Sequence, residues 1–149
     1  MIVALRTRMT YEEALHEFGL PALPEHRNNI RRLLVEATEQ ERRGEGQPEI
    51  LRTLCVQLFS IGDAEDALLI WSAKNSSFDM GSALDIQFLC GAGLEATKAF
   101  LAGSSVSDAN RALDRLSKCE QSGDFKDWSP QKTLAFYRSY YDLEDQPQS

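Results

Sequence analysis

The sequence predicts an all-α protein of about seven helices, arranged as stacked helical hairpins in a single α-solenoid-like domain. Three observations favour this fold. Most apolar residues recur at the three- and four-residue spacing of a helix, capping residues precede these segments, and Gly or Pro follows them. The chain has 149 residues, of which 42% are hydrophobic and 26% charged, as in an ordinary soluble globular protein. This length is enough for one buried core.

The most apolar stretch runs from Leu51 to Trp71 and predicts two helices folded back on each other. Apolar residues in its first half share one helical face, at Leu51, Leu54, Cys55, Leu58 and Phe59. Gly62 then interrupts the helix, and Asp63 is a good N-cap for the next one. The second helix is apolar on most sides, so we expect it in the middle of the fold, with Trp71 as the most damaging single truncation.

The N-terminal part, residues 1–47, should begin with a short strand or an arm over residues 1–9. Thr10 and Glu13 have the spacing of a capping box, which predicts a helix that ends at Gly19. A second helix should run from near Pro24 to about Arg43. Its buried face consists of Ile30, Leu33, Leu34 and Ala37, and its arginines lie off that face, at Arg27, Arg31 and Arg32.

The remaining helices belong to the part of the chain assigned to hairpin repeats, residues 48–142. They should span Met80 to about Cys90, Leu94 to Ala102, Ser107 to about Gly123, and a last segment that begins at Ser129-Pro130. The last helix carries several aromatic residues, which favours packing against a neighbour, with an interaction surface as the alternative. The polar tail, residues 143–149, should be frayed.

A repeat of about thirty residues links the two halves of this region. Leu54–Phe59 is echoed by Leu84–Leu89, and Glu65 matches Glu95 at the same offset. A period of this length with one hairpin per copy is typical of an α-solenoid, and coincidence among Leu- and Ala-rich helices is the alternative. The hairpin with Gly62-Asp63 before Ala64–Leu68 resembles tetratricopeptide-like and HEAT-like repeats. The general character of the chain is similar to small bacterial immunity and adaptor proteins.

Several classes of function are disfavoured by the composition. The net charge of −7 argues against a nucleic-acid binder. The three cysteines form no C-x-x-C pair, and His16 and His26 lack metal-ligand spacing, so we expect no metal and no cofactor. Gly91-Ala92-Gly93 is best interpreted as an inter-helix turn. No apolar run is long enough for a membrane span, and residues 2–5 are too short for a signal sequence, so we expect a cytoplasmic protein.

These observations predict a non-catalytic protein-binding module, of the immunity, antitoxin or adaptor kind. Its partner would be a basic protein that binds an acidic groove formed by Glu65, Asp66 and Glu95. One alternative is an enzyme or small-ligand-binding protein whose site is assembled from residues distant in sequence. A third possibility is a subunit whose exposed aromatic face makes it an obligate oligomer.

Overall fold

The computed structural model describes residues 8–143, so all but residues 8 and 9 of the strand or arm predicted for residues 1–9, and all but residue 143 of the tail predicted for residues 143–149, lie outside the described residues. The described residues contain eight α-helices and no strand, which confirms the all-α fold. The count within residues 8–143 is eight, compared with the expected number of about seven. The helices are α1 (Tyr11–Phe18), α2 (Arg27–Arg42), α3 (Pro48–Ile61), α4 (Ala67–Lys74), α5 (Phe78–Ala83), α6 (Leu94–Ala102), α7 (Ser107–Gln121) and α8 (Pro130–Tyr140).

Helix α3 forms the centre of the fold and contacts α1, α2, α4, α5 and α8. All five apolar residues predicted on its buried face are buried. Thr53, Val56 and Gln57 are buried as well, so neighbours cover α3 on nearly every side. Gln57 donates from Nε2 to the carbonyl oxygens of Ala14 and Gly19, at 2.9 and 3.0 Å. These bonds satisfy carbonyls at the end of α1 and hold that helix against α3.

Local signals set the beginnings and ends of several helices as predicted. The capping box at α1 is present: Thr10 Oγ1 accepts from the Glu13 backbone at 3.1 Å, and Glu13 accepts from the Thr10 backbone at 2.8 Å. Gly62 ends α3 with φ of 83°, a conformation that glycine adopts without strain. Asp63 accepts from the backbone of Glu65, and its turn of 3₁₀ helix, Ala64–Asp66, leads into α4.

Helix α4 is less completely buried than its composition suggests. Ala67, Ile70 and Ala73 face the core, whereas Leu68, Leu69 and Trp71 are half-buried. The helix packs on α2, α3, α5 and α7, and the side that carries Leu68, Leu69 and Trp71 is only partly covered by these neighbours. The largest fully buried side chain is Phe88, which the sequence did not single out.

The two copies of the thirty-residue repeat have different backbone conformations. Leu54–Phe59 lies within α3, but Leu84 is extended and is followed by a 3₁₀ helix, Ile86–Cys90. The single helix expected from Met80 to about Cys90 is therefore wrong. It is interrupted because Asp85 takes up an N-cap conformation and starts a new turn. Contact between α3 and the distant α8 also departs from a solenoid, in which repeats contact only their neighbours. The stacked arrangement is not confirmed.

The turn at Gly91-Ala92-Gly93 has glycine at its first position because the structure leaves no space there for a side chain. A Cβ atom at Gly91 would lie 2.2 Å from the carbonyl oxygen of Phe59, so a side chain there would collide with the end of α3. The 3₁₀ helix Ile86–Cys90 thereby comes close enough to α3 for Phe88 to pack its ring 6.1 Å from that of Phe59. This close approach places α8 over the same part of the core.

Candidate functional site

The three carboxylates of the predicted acidic groove do not share one exposed surface, because two of them are exposed and one is buried. The side chains of Glu65 and Glu95 are 65% and 81% exposed, whereas Asp66 is only 1% exposed. The carboxylate of Asp66 therefore contributes no open negative charge to a binding surface. Glu65 lies 3.4 Å from Arg27, and Glu95 lies 3.6 Å from Lys98, so both exposed carboxylates have a cationic neighbour.

Asp66 is neutralised by two arginines of α2. Arg27 donates from Nε to Asp66 at 2.8 Å, and the Nε of Arg31 lies 3.1 Å from the other carboxylate oxygen. Arg27 also lies 3.2 Å from Asp63. The bond to Asp66 raises the pKa of Arg27 above its ordinary value. Arg27 and Arg31 lie off the apolar face of α2 as predicted, but they face buried and partly buried carboxylates instead of bulk solvent.

Helix α8 presents a surface that the sequence left undecided between packing and interaction. Tyr137 is buried and packs its ring 5.2 Å from that of Phe88. The rings of Phe136 and Tyr140, one helical turn apart, are exposed by 60% and 55% and stack at 6.5 Å with an interplanar angle of 19°. Packing is thus confirmed for Tyr137, and Leu134 and Tyr141 are partly buried against the same core, whereas Phe136 and Tyr140 are exposed. We call the exposed pair, Phe136 and Tyr140, the α8 ridge.

The α8 ridge is held in place by contacts with α3. Arg52 donates from a guanidinium nitrogen to the Tyr140 hydroxyl at 2.9 Å, and its guanidinium carbon lies 5.3 Å from the centre of the Tyr140 ring. The Tyr141 hydroxyl is 2.7 Å from Thr53 Oγ1. Burial raises the pKa of Tyr137 to about 12 and also raises the pKa of Tyr141. Burial thus keeps these two phenols protonated to a higher pH than an exposed tyrosine.

Two clefts lie on either side of the ridge. The first has a volume of about 550 Å³, and Phe136 forms part of its wall. Its charged lining groups are Lys74, Asp85, Arg115, Asp124 and Lys132. The second has a volume of about 640 Å³, and Tyr140 forms part of its wall. Its charged lining groups are Glu12, Glu49, Arg52 and Asp142. By formal charge the first cleft is slightly positive and the second is negative.

The reactive groups near the first cleft are held in unreactive settings. Cys119 lines this cleft, but burial raises the pKa of its thiol and so disfavours the thiolate. Burial lowers the pKa of Lys74, yet its Nζ donates to the carbonyl oxygens of Gly81 and Leu84. Across residues 8–143 no three or more His, Cys, Asp or Glu side chains come together in a way that could hold a metal ion.

Comparisons with protein-family models, curated proteins and solved structures find no match to this chain. Within the described part of the chain, no helix is both long and apolar enough to cross a lipid bilayer. The class that the fold and the site define is therefore an all-α protein with an exposed aromatic helix between two clefts of opposite charge.

Sequence reasoning identified the aromatic helix and missed both clefts. The spacing of Phe136 and Tyr140, four residues apart, already predicts that these two rings share a face of α8. The clefts combine residues from several helices, such as Glu12 of α1 with Asp142 after α8. No pattern along the chain indicates such a combination.

Proposed function

We propose that this protein is a non-catalytic protein-binding module that binds its partner through the α8 ridge. The observation that carries this proposal is the exposure of Phe136 and Tyr140 on a helix that the adjacent Tyr137 anchors in the core. Aromatic residues and arginine are enriched at the centres of protein interfaces. Here two aromatic rings and Arg52 lie together on one face.

The energetics favour this surface over other exposed apolar residues. Burying a phenylalanine fully is worth about 1.5–3 kcal/mol. Tyr140 is already oriented by its bond to Arg52, so binding would cost less side-chain entropy than ordering a free side chain. Phe78 is 89% exposed but is not stacked on another ring in the described structure. Single exposed apolar residues of that kind are common on protein surfaces.

The acidic surface of Glu65 and Glu95 is the other candidate for the partner's site, in an immunity-like or adaptor-like role. Its support is the exposure of both carboxylates. It is weakened by their neighbours Arg27 and Lys98 and by the burial of Asp66. The alternative class is an enzyme that uses Lys74 in the first cleft. Burial lowers the pKa of Lys74, and residues with perturbed pKa values cluster at functional sites. The two carbonyl groups that hold Lys74 support a structural role instead.

Co-purification from the native cell tests the proposal when it is done with matched variants. Wild type and Phe78→Ala should retain the same partner, and the double variant Phe136→Ala/Tyr140→Ala should lose it. The Phe78 variant is a control for the loss of an exposed ring outside the α8 ridge. Circular dichroism and urea unfolding of each variant establish that the fold is intact. A partner lost by Glu65→Lys/Glu95→Lys and retained by the ridge variant would reject the ridge in favour of the acidic surface.

A further inference from the structure

We infer that the α8 ridge binds a second copy of this chain, with the two α8 helices antiparallel across a two-fold axis. This inference rests on the proposed function, because it names the partner of the same surface. It goes beyond that proposal by predicting a symmetric dimer with a defined orientation. The observation behind it is the distribution of charge along α8.

The two ends of the α8 ridge have opposite charge. Phe136 borders the cleft that contains Lys74, Arg115 and Lys132, whose three cations outnumber the carboxylates of Asp85 and Asp124. Tyr140 borders the cleft that contains Glu12, Glu49 and Asp142, whose three carboxylates outnumber the one cation, Arg52. The ridge therefore lies between a slightly basic cleft at its Phe136 end and an acidic cleft at its Tyr140 end. The last turn of α8 also carries a cation, Arg138, which donates to the carbonyl oxygen of Leu20.

A two-fold axis through the middle of the ridge makes these ends complementary. Such an axis places the same patch of both copies face to face in opposite directions. The basic end of each copy then meets the acidic end of the other, while Phe136 and Tyr140 of both copies pack at the centre. Lys132 lies six residues from the ridge centre, or about 9 Å along the helix at 1.5 Å per residue. It is therefore placed to reach the other copy's acidic cleft.

The central contact is suited to self-association because the rings of Phe136 and Tyr140 are uncharged and the cation beside the Tyr140 ring, Arg52, is already bonded to the Tyr140 hydroxyl. Uncharged aromatic rings can pack against identical rings without the repulsion that like charges would cause. The net charge of −7 opposes the approach of two copies at long range. An interface centred on one eleven-residue helix is also small, below about 1,200 Å². We therefore expect a weak dimer, with a Kd in the micromolar range.

Sedimentation velocity over a range of concentrations around that Kd tests the inference. Wild type and Phe78→Ala should dimerise, and Phe136→Ala/Tyr140→Ala should remain monomeric. Lys132→Glu and Glu12→Lys should each weaken the dimer by about tenfold or more, because each reversal acts twice in a symmetric dimer. The combined variant Lys132→Glu/Glu12→Lys exchanges the two charges and should restore most of the affinity.

The outcomes separate this inference from the proposed function. A wild-type protein that stays monomeric at every concentration would overturn the dimer. If a different protein co-purifies with wild type and is lost from Phe136→Ala/Tyr140→Ala, the proposed function stands with that protein as the partner. A dimer that survives Phe136→Ala/Tyr140→Ala would place the contact elsewhere and overturn the inference. Failure of the combined variant to recover affinity, while both single variants weaken the dimer, would reject the antiparallel orientation.

Discussion

Arg27 donates from Nε to Oδ2 of the buried Asp66 at 2.8 Å, and this ion pair joins the first residue of α2 to the residue that precedes α4. A carboxylate that is 1% exposed is costly without compensation, and here Arg27 and Arg31 compensate it. Asp66, which the sequence analysis assigned to partner binding, therefore links α2 to the start of α4 instead. This pair leads to the first prediction.

Removal of Arg27 should cost more stability than removal of Asp66. Arg27→Ala leaves a buried carboxylate with only Arg31 beside it, so we expect a loss of about 3 kcal/mol, the low end for a broken buried pair. Asp66→Ala leaves arginines that retain some contact with water, at a cost of about 2 kcal/mol for a charged hydrogen bond. Urea unfolding measures both. Glu65→Ala, at an exposed partner of the same arginine, is the control and should cost less than about 1 kcal/mol. The reverse order for Arg27 and Asp66 would contradict this account.

Phe88→Ala should be more damaging than Trp71→Ala, in contrast to the ranking expected from sequence. Phe88 is fully buried and contacts the rings of Phe59 and Tyr137, whereas Trp71 is half-buried. Truncation of a fully buried phenylalanine costs about 3–5 kcal/mol. The comparison requires chemical denaturation of both variants under the same conditions. A lower urea midpoint for Trp71→Ala than for Phe88→Ala would show that α4 supports the core more than its burial indicates.

Stability should decline between about pH 10 and about pH 12, in part because of Tyr137. Burial, and secondly the charge of Asp85, raises the pKa of Tyr137 from 10.0 to about 12. Above pH 10 the unfolded chain therefore loses this proton while the folded chain keeps it, and the free energy of unfolding falls as pH rises. Below pH 10 the phenol is protonated in both states and has no effect. Tyr137→Phe should reduce the alkaline decline in urea midpoint.

The control for that experiment is Tyr140→Phe, which removes one phenol from the exposed ridge instead of the buried side of α8. A decline that is identical in wild type and Tyr137→Phe would assign the alkaline effect to other groups. Burial also raises the pKa of the Tyr141 phenol and of the Cys55 and Cys90 thiols, and their contributions should remain in both variants.

Charge reversal at Glu65 and Glu95 should leave the fold intact. Both side chains are exposed, and exposed ion pairs such as those that they form with Arg27 and Lys98 contribute little to stability. If the partner binds at the α8 ridge, Glu65→Lys/Glu95→Lys should also leave the association rate nearly unchanged at low salt. Stopped-flow or surface-based kinetics can measure that rate with a co-purified partner. A markedly slower rate at low salt would support the acidic surface instead, since electrostatic steering acts on association.

The short-range signals in the sequence were sufficient for several of the helices and their ends, although not for the interruption at Leu84 and Asp85. The capping box of Thr10 and Glu13, the glycine stop at Gly62 and the Ser129-Pro130 start each act within a few residues, so they can be recognised without the tertiary structure. The helical spacing of Leu51, Leu54 and their neighbours likewise predicts a buried face correctly, because a helix repeats every 3.6 residues.

The tertiary structure alone decided which of the predicted site residues are exposed and where the candidate surface lies. Asp66 and Glu65 are adjacent in sequence, yet one is buried and one exposed, because the arginines that cover Asp66 come from a helix about forty residues earlier. Tyr137 and Phe136 are also adjacent in sequence. Tyr137 is buried because it packs against Phe88 in the core, whereas Phe136 is exposed. Burial and charge pairing depend on which helices meet. The two clefts beside α8 therefore exist only in the folded chain.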